Sequence, residues 1–387
     1  MTGPELAAEL VPTAAIVGFA AFSGYTARLA ARPSAAARAL PRPVGVTVLR
    51  PCEGAEPGLA AALAAPADAH VGAIEVVACT GVDDPAAPLA RALGVAVATD
   101  EPATAHWHNP KTRHLAAGLA RPGHATVVLA DIDAALDGPL LDELVAAAQA
   151  PGVAGAFAPP MAAPGPLWGN RLLRAALGGS LYAWPALVAL TRALGQPVPM
   201  SGALVAFRRA DLPHGLADAA AVIGDDLALA DRLQRSGALA LISRPVICAH
   251  GPITLTTAIA TLGRWVHVAA LHAPWRLLGF PFLFAATPLL LGLALLAALL
   301  LPAPLAITAA LAIGAALHAR VRAARQIRRR LLGEPGPLAE LLLVELVLLY
   351  AGLRASLALL LRRELVWRAR SYRVGAGGRI LAVRSVA

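Results

Sequence analysis

The chain has 387 residues, 58% of them hydrophobic and only 4% aromatic, and its mean hydropathy of +0.64 is too high for an ordinary soluble enzyme. The excess is Ala, Leu and Val, as a GC-rich bacterial genome would also produce, so membrane insertion has to be argued from run lengths. A formal charge of +9 comes almost entirely from Arg clustered beside apolar runs, which fits anionic headgroups and the positive-inside rule and argues against nucleic acid as the partner.

The first element is an apolar stretch, Leu6 to Ala27, with no charge between Glu9 and Arg28. A helix of roughly 20 residues suffices to cross a bilayer. No small-residue cleavage site with a basic n-region is evident, so residues 1–30 read as a retained anchor and not a signal peptide. Arg28, Arg32, Arg38 and Arg42 follow and place the next domain in the cytoplasm. Residues 31–43, rich in Pro and Ala, read as a linker.

Residues 44–272 alternate short apolar runs with helical patterns. Val44–Leu49, Ile74–Cys79, Thr126–Ala130, Val153–Phe157, Ala203–Phe207 and Leu239–Ile242 are strand candidates. Pro85–Leu93, Lys111–Leu119, Pro139–Gln149 and Asp226–Arg235 look helical. This alternation predicts an α/β sheet with ligands at the carboxyl ends of its strands. The apolar stretch Leu167–Leu194, interrupted by Arg171, Arg174 and Pro185, is either an interfacial helical segment or a core helix pair. Cys52, Cys79 and Cys248 form no CxxC pair and read as buried small side chains in a reducing compartment.

Beyond Trp265 the texture changes, and residues 273–387 read as a membrane region with a basic tail. Leu277–Leu301 contains an uncharged run long enough to span, Pro281 and Pro288 being tolerable in a membrane helix. Leu305–Leu317 spans only if its ends are included, and the arginines of Arg320–Arg330 mark a cytoplasmic loop. Leu338–Leu361 is a further candidate, with Glu340, Glu345 and Arg354 inside it. If it spans, the tail Arg362–Arg379 is exported against the charge rule; if it lies in the interface, the tail stays inside. No paired charges mark an internal pathway in these spans, which argues against a transporter.

Four short stretches carry chemistry. Asp131-Ile132-Asp133 directly follows the apolar run Thr126–Ala130, and on an extended strand end residues two apart point the same way. Both carboxylates can then address one magnesium or manganese ion, which suits hard oxygen ligands and phosphate. Asp83-Asp84 ends the loop after the second strand, and Asp225-Asp226 opens a helix, where Asp225 is expected to cap and Asp226 to be free to act. Arg264-Trp265 supplies a cation and an indole at the membrane boundary, a place where a snorkelling Arg and a belt Trp are also common. His106 and His108 flank Trp107, but two histidines without a third ligand read as a solvated edge or pocket lining. Three acidic stations followed by Arg-Trp suggest transfer of a sugar from a nucleotide to a lipid.

The order Val46-Thr-Val-Leu-Arg-Pro-Cys-Glu-Gly54, Cys79…Asp83-Asp84-Pro85-Ala86, Asn109-Pro110-Lys111, Asp131-Ile-Asp133 and Gly224-Asp225-Asp226 resembles the ceramide glucosyltransferase family. Arg264-Trp265 and the tail Trp367-Arg-Ala-Arg-Ser-Tyr-Arg-Val374 extend the likeness over nearly the whole chain. The resemblance implies a GT-A nucleotide-sugar domain between an amino-terminal anchor and carboxyl-terminal transmembrane or interfacial helices. It also implies an inverting mechanism, at the inner membrane of a bacterium with the catalytic domain cytoplasmic. It assigns Asp84 to the uridine, Asp131 with Asp133 to the metal and diphosphate, and Asp226 to the general base. Lys111 falls to the donor phosphates, and Arg264 and Trp265 to diphosphate and acceptor. The implied donor is UDP-glucose or UDP-GlcNAc, and the implied acceptor ceramide or, through the related hopanoid-biosynthesis glycosyltransferases, bacteriohopanetetrol. Thr261 stands where the family has Gln or Arg, and Leu227 where an aromatic is usual. Those departures motivate a rival reading: a non-catalytic membrane protein that kept the fold and binds lipid or a partner.

Overall fold

The apolar runs of the first two-thirds of the chain become strands whose side chains are buried on both faces, as parallel sheets require. In the computed structural model, which describes residues 3–31, 43–54, 58–64, 66, 68–100, 109–216, 219–249, 251–274, 276–361, 364–367 and 370–385, nine strands lie before the membrane region. They are Val46–Pro51 (β1), Ile74–Gly81 (β2), Ala96–Asp100 (β3), Thr126–Ala130 (β4), Val153–Phe157 (β5), Pro160–Ala162 (β6), Leu204–Arg208 (β7), Ala238–Leu241 (β8) and Val246–Cys248 (β9). Seven of them form one sheet in the order β3-β2-β1-β4-β7-β5-β8, and β6 pairs with β9. Only β7 runs antiparallel to its neighbours β4 and β5. The strand order reverses between β1 and β4, the place where open α/β sheets bind ligands beyond their carboxyl ends.

Helices cover and extend the sheet: Gly3–Ala30 (α1), Leu59–Leu63 (α2), Ala86–Ala92 (α3), Pro110–Ala120 (α4), Gly138–Ala148 (α5), Trp168–Gly179 (α6), Trp184–Ala193 (α7) and Asp225–Leu233 (α8). Leu255–His272 (α9), Arg276–Phe284 (α10), Ala286–Leu300 (α11), Ala303–Leu332 (α12) and Leu338–Leu360 (α13) follow. The architecture is the expected mixed α/β domain flanked by apolar helices. Of the linker 31–43, residues 32–42 lie outside the described residues, as do His106 and His108. The three cysteines are buried and none is in a disulfide.

The membrane region departs from the sequence expectation in three places. Leu277–Leu301 is not one span but two helices, α10 and α11. A proline ring clashes with the carbonyl four residues earlier, and α10 ends at Phe284, four residues before Pro288. At 15 residues α11 rises only about 22 Å, short of a roughly 30 Å hydrocarbon core. Arg320–Arg330 is no loop but the second half of α12, whose 30 residues rise about 45 Å and carry the basic end beyond hydrocarbon. Paired charges do occur: Arg320 Nη2 lies 2.8 Å from Glu345 Oε1, both fully buried between α12 and α13. Arg320 also donates from Nε to Thr287 Oγ1 and from Nη1 to Ser23 Oγ and the Leu283 carbonyl, while the Thr287 N–H donates to Glu345 Oε2. These hydrogen bonds tie α12 and α13 to α1, α10 and α11.

Among the described residues, four segments can cross a membrane by length and composition: Leu10–Ala30, Trp168–Ala193, Ala303–Leu332 and Leu338–Leu360. The second is α6 and α7 together, bent at 180–183 and packed in one core with α9, α12 and α13, so the helix-pair reading holds. α13 starts beside the basic end of α12, where Arg328 binds Glu340 and Glu334. It leads into a three-stranded antiparallel sheet of Leu365–Trp367 (β10), Arg370–Val374 (β11) and Ile380–Ser385 (β12). That sheet docks on the catalytic domain: the Ile380 N–H donates to the Ala221 carbonyl at 2.7 Å and the Ile223 N–H to the Gly378 carbonyl at 2.9 Å. The start of α13 thus lies against the basic end of α12, and the tail that follows its other end lies against the catalytic domain. Leu346, Tyr350, Leu353, Leu357 and Leu360 form the outward apolar stripe of α13.

Candidate active site

β4 ends at Ala130, and the chain turns out of the sheet through Asp131, Ile132 and Asp133. Arg50, a buried cation near the carboxyl end of β1, holds this turn by donating to the carbonyls of Asp131 (2.7 Å) and Ala134 (2.8 Å). Burial pushes the Arg50 guanidinium down to about 10, against the opposing pull of Asp131. The Asp131 N–H donates to the Ala203 carbonyl (2.9 Å) and the Ala249 N–H to the Asp133 carbonyl (2.7 Å), so three segments fix the turn.

α4 enters from the other side. Its N-cap, Asn109, accepts the Thr112 N–H and donates to the Val222 carbonyl, and Pro110 sits in the first turn, where a missing N–H is harmless. This seats Lys111 with Nζ 2.7 Å from Asp131 Oδ1 and 3.6 Å from Asp225 Oδ2. Burial disfavours the ammonium, but the two carboxylates outweigh it and hold Lys111 above its usual range. Asp131 is raised by burial, with Lys111 opposing.

α8 begins at Asp225 with Gly224 in the cap position and no side-chain cap, so Asp225 does not cap as expected. Its carboxylate turns to Lys111 instead. Asp226 Oδ1 accepts the Leu227 N–H at 2.9 Å. Burial and the neighbouring Asp225 charge push Asp226 up to about 6, with Lys111 opposing. Gly202 permits the close approach: a Cβ there would lie 3.0 Å from the Asp226 Cβ and 3.4 Å from Lys111 Nζ.

Lys111, Asp131, Asp133, Asp226, Arg264 and Trp265 all line one cavity of about 1040 Å³. Arg264 and Trp265 come from α9, which starts at its Thr254 cap. Thr261 does not line the cavity, whereas Leu227 does. Asp84 is the exception among the expected residues. It is not in the cavity wall; its carboxylate accepts the N–H groups of Gly54 (2.9 and 3.0 Å) and Ala86 (2.8 Å), shaping the loop after β1. Away from the acids the cavity becomes apolar, walled by Phe19 and Phe22 of α1, Leu187 and Leu190 of α7, and Phe280 and Phe284 of α10.

Arg50 and Gly202 escape a sequence reading and Asp225 is expected there only as a cap, although an arginine inside Val46-Thr-Val-Leu-Arg50 is an anomaly that announces a buried partner. Among the described residues no three His, Cys, Asp or Glu side chains gather as a metal cage. Asp131 and Asp133 still fit magnesium or manganese, which commonly take one or two carboxylates and complete their shell with phosphate and water.

Solved structures give partial likenesses. A mannosyltransferase from Pyrobaculum calidifontis, in complex with GDP-Man and Mn2+, is 18% identical over 90% of this chain and 97% of its own, with a TM-score of 0.45. A glucosyl-3-phosphoglycerate synthase from Mycobacterium tuberculosis, in complex with Mn2+ and UDP-glucose, is 19% identical over 59% of this chain and 78% of its own, with a TM-score of 0.37. No curated protein matches. The family model described as glycosyl transferase family 21 matches residues 11–380, and the chain belongs to that family of sugar transferases.

Proposed function

We propose that the protein moves glucose or GlcNAc from its UDP-sugar to the primary hydroxyl of a membrane lipid, as a ceramide glucosyltransferase does, with inversion at the anomeric carbon. The observation that carries this reading is the continuity of the cavity. One end holds the acidic groups and Lys111, and the other is an aromatic and aliphatic wall supplied by helices that include the amino-terminal anchor. A water-soluble acceptor has no use for that wall; a lipid brings its hydroxyl to the acids while its tail stays in apolar surroundings. The arginine-rich end of α12 supports a catalytic domain on the cytoplasmic face of a bacterial inner membrane.

Asp226 takes the proton of the acceptor hydroxyl as that oxygen attacks the sugar. A carboxylate at about 6 is a stronger base than an ordinary aspartate and is still ionised at neutral pH. Lys111 and Arg264 put positive charge where the nucleoside diphosphate departs, typically the largest catalytic contribution. Asp131 and Asp133 would hold magnesium or manganese, which when bound neutralises the diphosphate. Trp265 walls the acceptor side, and Asp84 sets the loop beneath the nucleotide.

The test offers the detergent-solubilised protein UDP-glucose or UDP-GlcNAc with manganese or magnesium, and ceramide or bacteriohopanetetrol in parallel, with mass spectrometry of the lipids. A glycosylated lipid confirms the transfer and names both substrates. A folded protein that neither binds UDP-sugar nor releases UDP is the scaffold, and the reading falls.

A further inference from the structure

Arg370, the first residue of β11, lines the same cavity as Lys111 and Asp131 and lies 3.5 Å from Glu53. Glu53 belongs to the loop beyond β1 that Asp84 shapes, and β1 with β4 brackets the point where the strand order reverses. On the other side, β12 is fastened to residues 221–223, immediately before Asp225 and Asp226. The tail sheet thus reaches from the loop beyond β1 to the approach of α8, across the crevice where open α/β sheets bind ligands.

We propose that Arg370 contacts the diphosphate of the nucleotide donor, making the tail sheet one wall of the donor site. This rests on the function proposed above. A nucleoside diphosphate brings at least two negative charges, and Lys111 is already engaged by Asp131 and Asp225. A guanidinium fork matches phosphate oxygens in pairs. The Glu53 contact is long and both side chains are more than a third exposed, so exchanging that carboxylate for a phosphate costs little.

Calorimetry on the full chain in detergent, with manganese present, measures the affinity for UDP and, by competition, for uridine. Arg370→Gln weakens UDP binding roughly tenfold, the size of one charge-assisted contact, and leaves uridine unchanged. Arg370→Lys loses less, and Arg373→Gln, an exposed arginine of the same strand outside the cavity wall, loses nothing. Unchanged UDP binding in Arg370→Gln overturns the assignment, and so does a parallel loss of uridine, which would mean that the tail only supports the fold. If the unaltered protein binds neither UDP nor GDP, the proposed function falls first and this inference with it.

Discussion

Arg320 and Glu345 are hidden among the helices, whereas Lys111, Asp131, Asp225 and Asp226 line the cavity beyond the carboxyl end of β4, and the two sets handle charge in opposite ways. Among the helices one cation meets one anion, and Thr287, Ser23 and the Leu283 carbonyl take up the remaining donors and acceptors. A pair closed in this way fixes how α12, α13, α11 and α1 fit together. In the cavity one lysine serves two carboxylates while Asp226 stands beside a like charge. The same residue types are balanced among the helices and left unbalanced in the cavity.

Removing the reactive carboxylate is expected to have the largest effect. Asp226→Asn lowers lipid glycosylation by about 10²–10⁴-fold, the usual worth of a general base, while UDP binding persists. Transfer at the unaltered rate would break the contrast. At the balanced set, Glu345→Gln strands the Arg320 charge and costs about 3–5 kcal/mol. This is read as a lower Tm in detergent, with transfer per folded molecule unchanged. Arg320→Met combined with Glu345→Leu restores most of the loss, and a double variant as unstable as the single one contradicts the pair's purely structural role.

A pH profile sharpens the comparison. As the proposed base Asp226 works deprotonated, so kcat/KM is expected to fall as pH drops through about 6. Lys111→Met removes the cation that opposes this rise and moves the acidic limb to higher pH; an unmoved limb would assign it to another group. The smallest change is Gly202→Ala. Its Cβ crowds the Asp226 Cβ at 3.0 Å, and overpacking of that kind costs about 1–3 kcal/mol. A reduced kcat with donor affinity retained supports the close approach, and unchanged kcat shows that the loop yields.

The sheet was legible where a strand is continuously apolar. Thr126–Ala130 is β4 to the residue because Asp131 ends the run abruptly. β3 escaped because Ala96-Val-Ala-Thr-Asp100 is short and rich in small residues that suit helix as well. β11 escaped because its arginines draw the eye to charge, although Ser371 and Tyr372 are buried. Lys111, Asp131, Asp133, Asp226 and the Arg264-Trp265 pair were found by motif and do share a cavity. Asp84 belongs to the same motif set yet binds backbone, since a carboxylate's type and spacing do not say which N–H groups will reach it. The buried partner of Arg320 was invisible for a related reason: its glutamate lies on another helix, 25 residues on.

The docking of β12 on residues 221–223 has a consequence for biosynthesis. The segment that leads into Asp225 and Asp226 receives these hydrogen-bond partners from residues the ribosome makes only after α10 to α13. Until then that approach has unpaired backbone groups and no tail sheet against it. The order of synthesis therefore delays completion of the acidic site until the helices that surround the apolar wall of the cavity have been made, so a chain that stops short of the tail is not left with a finished site.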